Sequence, residues 1–68
     1  MTRELLIVAL IYLRKGERYS LPYDVFASVF PPGIDDDDAK VSALDFARAH
    51  ECAIDHQPHL GLVDFVRQ

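Results

Sequence analysis

The sequence predicts an α+β fold in which three helices precede a C-terminal β-hairpin. Start and stop signals bracket three apolar stretches before residue 52, and residues 52–68 carry short β-prone segments on either side of a turn containing Pro58 and Gly61. Half of the residues are apolar and 26% are charged, a composition that builds a packed core. At 68 residues the chain has room for one small domain, which buries about 60% of the surface its unfolded form exposes.

Thr2 stands where an N-cap is needed, Glu4 complements the positive end of a helix dipole, and Arg14 and Lys15 complement the negative end just before Gly16, a left-handed cap. These signals bound a first helix at residues 3–15. Its interior, Leu-Leu-Ile-Val-Ala-Leu-Ile-Tyr, fits a buried strand equally well by periodicity, so the flanking residues decide. Apolar all round, this helix must be covered by the rest of the domain or by a dimer contact.

Ser20 can cap a second helix with Pro22 in its first turn, and Tyr23, Phe26, Ala27 and Phe30 then share one face at i, i+3, i+4 and i+7. Pro31 and Pro32 stop it, which gives residues 21–29. A third helix over residues 36–51 sets Ala39, Ala43, Phe46, Ala47 and His50 along one side, with Val41 and Leu44 widening the apolar sector and Lys40, Asp45, Arg48 and Glu51 left to solvent. The hairpin strands fall at residues 53–56 and 62–67, with Ile54, Val63 and Phe65 facing the core. This is the layout of winged-helix and helix-turn-helix domains. Residues 17–20 are available for the short strand that winged helices often insert after helix one.

The formal charge of -4 is uneven: beyond Ile34 there are eight acids against Lys40, Arg48 and Arg67. An acidic second half disfavours direct nucleic-acid binding, which rests on Lys and Arg displacing counterions from phosphates. The apolar run at residues 5–13 would span about 14 Å as a helix, roughly half the hydrocarbon core of a bilayer, so no membrane span is expected. Glu4 before this run and Arg14-Lys15-Gly16-Glu17-Arg18 after it do not make a secretory leader. Cys52 is the single cysteine and cannot form an intrachain disulfide, which makes the cytoplasm the expected compartment.

Asp35, Asp36, Asp37 and Asp38 form the most distinctive run. Acids at a helix N-terminus are favourable by about 0.3–1 kcal/mol each. That accounts for one or two of the four, because neighbouring like charges repel. The remainder read either as a solvated cap or, together with Asp45 and Arg48, as a contact surface for a basic protein. Calcium does not fit, since an EF-hand spaces its ligands at alternate positions around a glycine. His50, Cys52, His56 and His59 are all zinc-ligand types, but they lack the paired spacing of structural zinc sites, and no metal or other cofactor is expected. Nor is an enzyme expected: a chain this short has little room for a water-excluding pocket besides its core.

In a helix-turn-helix protein the N-terminal residues of the third helix face base edges between two phosphate backbones. Here that end carries the aspartates, and two like charges 4 Å apart repel by about 1 kcal/mol even in water. The residues therefore favour a non-catalytic, protein-binding regulator that acts through Asp35, Asp36, Asp37, Asp38, Asp45 and Arg48 together with an apolar or hairpin surface. A winged-helix DNA-binding repressor and a small acidic antitoxin or adaptor are the alternatives.

Three segments, Met-Thr-Arg-Glu-Leu-Leu-Ile-Val, Ile-Asp-Asp-Asp-Asp-Ala-Lys and Gly-Leu-Val-Asp-Phe-Val-Arg-Gln, resemble small phage-encoded transcription regulators that bind host RNA polymerase, of the kind found in lytic phages of Xanthomonas. The resemblance implies a protein of the host cytoplasm that binds the polymerase β′ subunit, inhibits initiation and permits readthrough at terminators. It transfers no binding residue onto this chain.

Overall fold

The computed structural model describes residues 1–31 and 36–68, with the backbone alone for residues 36–38. Along the chain run α1 (Arg3–Ile11), β1 (Arg18–Pro22), α2 (Tyr23–Val29), α3 (Asp36–Ala49), β2 (Cys52–Gln57) and β3 (Leu62–Arg67), with a 3-10 turn at Pro58–Leu60 between the last two strands. The fold is α+β with three helices, as the sequence predicts, but its sheet is more than a C-terminal hairpin. β3 occupies the centre, with β1 and β2 antiparallel on either side. An isolated two-stranded hairpin is marginal in water, and a third strand gives it a face broad enough to support helices.

Thr2 does cap α1, accepting a hydrogen bond from the Leu5 amide at 3.3 Å. The helix ends at Ile11, four residues short of the expected Lys15, because the following residues are held by competing bonds. The Glu17 carboxylate accepts from the Arg14 amide at 2.7 Å, and the Glu17 amide donates to the Arg14 carbonyl at 2.9 Å. Gly16 does adopt positive φ, at 86°, but as the third residue of this turn and not as a helix cap. Its amide also donates to the Arg67 carbonyl, tying the turn to the end of β3.

Leu21 lies within β1 instead of opening α2. Paired with Val63, it is fully buried, and burial of a leucine side chain is worth about 1.5–3 kcal/mol. Pro22 is extended at the end of an edge strand, where its missing N–H costs no ladder bond, and α2 begins at Tyr23. The inward face of α2 is also rotated from the predicted one: Val29 and Phe30 are buried and Val25 and Phe26 half-buried, while Tyr23 and Ala27 are exposed. On α3, Ala43 and Ala47 are buried and Phe46 half-buried, as their spacing predicts, and His50, just past the helix end, is half-buried as well. Val41 and Leu44 remain exposed, so the apolar sector is narrower than expected. Glu51, at φ 57°, turns the chain directly from α3 into β2, two residues before the predicted helix end is complete.

Residues directly opposite in an antiparallel pair share a face. One face of the sheet therefore carries Leu21, Cys52, Ile54, Val63 and Phe65, and against it lie Leu6 and Leu10 of α1, Val29 of α2 with Phe30 at its C-cap, and Ala43 and Ala47 of α3. The rings of Phe30, Phe46 and Phe65 meet at centroid separations of 5.3–6.3 Å at its centre. Ile54, Val63 and Phe65 thus take the core-facing positions their alternation predicts. The buried state of Cys52 makes it a small core residue.

Candidate functional site

An α-helix places residues i, i+3 and i+7 nearly in line. On α1 that line is Leu5 and Val8, continued by Tyr12 at the C-cap, with Ile11 beside it. All four face solvent, at 58%, 50%, 80% and 61% exposure. Leu6 and Leu10, on the opposite side, are fully buried. The domain covers one side of an apolar helix and leaves a contiguous apolar stripe on the other, where Arg3 and Glu4 are the only charged residues of the helix. Arg3 is already engaged: its Nε donates to the Val29 carbonyl at 3.2 Å, and its guanidinium lies 4.9 Å from the centre of the Phe30 ring. The stripe was foreshadowed in the sequence by the uninterrupted apolar run, which gave no indication of which side would be left bare.

Of the acidic run, Asp35 lies outside the described residues. Asp36, Asp37 and Asp38 form the first turn of α3. Asp45 and Arg48 stand three residues apart further along the same helix, both exposed. The helix thus brings five of the six predicted contact residues onto one element, and the described ion pairs involve other residues.

The strongest polar cluster was not anticipated. Asp64 sits at the middle of the central strand on the sheet face away from the helices, opposite Ser20 on one side and Asp55 on the other, and is 2% exposed. Its Oδ2 accepts from Arg18 Nη1 at 3.0 Å and from Gln57 Nε2 at 2.7 Å, while the same guanidinium nitrogen reaches Asp55 at 3.3 Å. Asp64 Oδ1 has no hydrogen-bond partner among the described residues. The strand sequence Leu-Val-Asp-Phe-Val-Arg contains the clue: an acid amid β-branched and aromatic residues in a strand with neighbours on both edges needs partners beside it.

This cluster and its equivalents absorb cations. Arg18 serves Asp64 and Asp55. Arg67 donates to the His50 carbonyl at 2.8 Å and pairs with Glu51 at 3.3 Å, and Arg3 is held by α2. Among the described interactions, three of the seven lysines and arginines thus satisfy groups of their own chain. His50, Cys52, His56 and His59 do not assemble either. Cys52 Sγ donates to the His50 carbonyl at 3.4 Å, His56 is hydrogen-bonded to Tyr23, and among the described residues no group of three potential ligands is close enough to hold a metal. Among the same residues, no helix is long and apolar enough to cross a membrane. Comparison of the chain with protein-family models, with curated proteins and with solved structures returns no match.

Proposed function

We propose that this chain is a non-catalytic, protein-binding regulator of winged-helix form, which docks through the exposed stripe of α1 and presents the acids of α3 to a basic surface. The stripe is the observation that carries the reading. Large contiguous apolar patches on small proteins mark interaction sites, since leaving them in water forfeits the burial that folding otherwise gains. Acids elsewhere on the same surface speed encounter with a basic partner and oppose nucleic acid. The element order, with a strand after the first helix and a sheet ordered β1-β3-β2, supports the winged-helix assignment. The resemblance to phage regulators makes host RNA polymerase, through its β′ subunit in the host cytoplasm, the partner to test first.

The test is retention of purified bacterial RNA polymerase on the immobilised protein, with wild type compared to a Leu5→Ser, Val8→Ser double variant. Retention by the wild type alone supports both the reading and the partner. No retention by either removes the polymerase assignment, and equal retention by both removes the stripe.

The same element order also favours a DNA-binding repressor. Arg14, Lys15, Lys40 and Arg48 would have to supply the phosphate contacts, because the other three cations are engaged. Titration of a short duplex at low salt, followed by amide NMR, distinguishes this reading: shifts along α3 and the β2–β3 turn support it, and an unchanged spectrum removes it.

A further inference from the structure

The exposed side of α1 is complementary to itself. Leu5, Val8, Ile11 and Tyr12 carry no charge along its length, and Arg3, the one cation within the helix, is held instead by the Val29 carbonyl and the Phe30 ring. Charge appears at the ends of the stripe. Exposed Glu4 lies at the N-terminal end, and exposed Arg14 and Lys15 follow the Tyr12 cap at the other. The described ion pairs are made by other residues. With Arg3 and Arg18 engaged inside the chain, Glu4 and Glu17 stand against Arg14 and Lys15, so residues 1–18 carry none of the acid excess found beyond Ile34.

We infer that the stripe pairs with the stripe of a second copy of this chain, the two α1 helices running antiparallel about a two-fold axis near Val8. This rests on the reading of the stripe as a protein-docking surface and names what covers it in the free protein. At a rise of 1.5 Å per residue, antiparallel packing about Val8 sets Leu5 of each copy across from Ile11 of the other, and Glu4 of each beside the Arg14-Lys15 turn of the other. Opposed helix dipoles favour the same arrangement. Parallel packing would set Glu4 against Glu4 and Arg14 against Arg14, like charge on like, with the dipoles aligned. Four side chains per copy bury less than the roughly 800 Å² per partner of a standard interface, so the pair is weak enough for a larger partner to displace.

The experiment is sedimentation equilibrium of the full chain at low ionic strength, over concentrations from about 10 μM to about 1 mM, the range of a weak pair. The mean mass of the wild type should rise from monomer toward dimer, and Leu5→Ser with Val8→Ser should stay monomeric. Glu4→Arg, and separately Arg14→Glu with Lys15→Glu, should each associate about tenfold more weakly, because attraction at both ends becomes repulsion. An equimolar mixture of these two charge variants should recover wild-type association to within about twofold, a rescue that parallel packing does not give. Should either charge variant not fold, the double serine variant carries the decision. A wild type monomeric throughout would overturn the inference and leave the docking reading to its own test, the retention of polymerase. A double serine variant as dimeric as the wild type, or a mixture of folded charge variants without rescue, would overturn it as well.

Discussion

The two sides of α1 are made of the same material and meet opposite fates. Leu6 and Leu10 are fully buried against the sheet and the other helices, while Leu5, Val8, Ile11 and Tyr12 are at least half exposed. Apolar character alone therefore does not define the core of this domain; geometry selects which leucines stabilise it and leaves the others in solvent. The sheet repeats the lesson in different chemistry. One face is carried by Leu21, Val63 and Phe65, and the other is organised around a buried carboxylate.

The comparison is broken most severely from the buried side. Leu10→Ala should lose about 2–5 kcal/mol, combining lost transfer energy with a residual cavity. A domain of this size has roughly 3–10 kcal/mol of stability in total, so urea denaturation should show a large shift of the midpoint or no folded baseline.

A smaller effect is expected on the polar face. Arg18→Ala leaves the buried Asp64 with Gln57 as its remaining described partner, at a cost of about 1–3 kcal/mol. The figure is held below that of a fully buried ion pair because half of the Arg18 side chain is already in water. A double-mutant cycle of Arg18→Ala with Asp64→Asn should recover part of that loss, as the uncompensated charge is then absent.

On the exposed side, Leu5→Ser combined with Val8→Ser should change stability by less than about 1 kcal/mol, because neither side chain contributes to the core and surface substitutions are nearly neutral. The melting curve should follow the wild type. Sedimentation equilibrium sharpens this further: if the stripe pairs two copies of the chain, the wild type should be dimeric and the double variant monomeric. Smallest in stability is the joint change of Asp36, Asp37 and Asp38 to Asn, expected to cost no more than about 0.5 kcal/mol, because relief of repulsion between neighbouring acids offsets most of the interaction lost with the dipole of α3. Its signature lies in binding, where the association rate with a basic partner should fall and lose most of its salt dependence.

Much of this architecture was legible in the residues because local signals and alternation agreed. Thr2 identified the start of α1, the alanines of α3 identified its inner face, and Ile54, Val63 and Phe65 identified the inner face of the sheet. The errors occurred where a distant partner overrode a local preference. Ser20 and Pro22 are a sound helix start in isolation, yet pairing with β3 draws Leu21 into a strand, and that pairing joins residues more than forty positions apart. Gly16 was correctly read as left-handed and wrongly read as a helix terminus, because the Glu17 side chain and the end of β3 capture the turn. For the site, the acids of α3 were conspicuous as a charge run. The α1 stripe was hidden inside a uniformly apolar segment, and Asp64 became informative only once its neighbours on two other strands were known.

The central claim is that the bare side of α1 is a protein-docking surface. Its most direct measurement is equilibrium binding of bacterial RNA polymerase, and then of soluble proteins from a bacterial lysate, to the immobilised wild type and to the Leu5→Ser, Val8→Ser variant, with the variant's thermal melt recorded alongside. The account predicts a partner retained by the wild type and lost from a variant that melts with it. A partner retained equally by both proteins would contradict it.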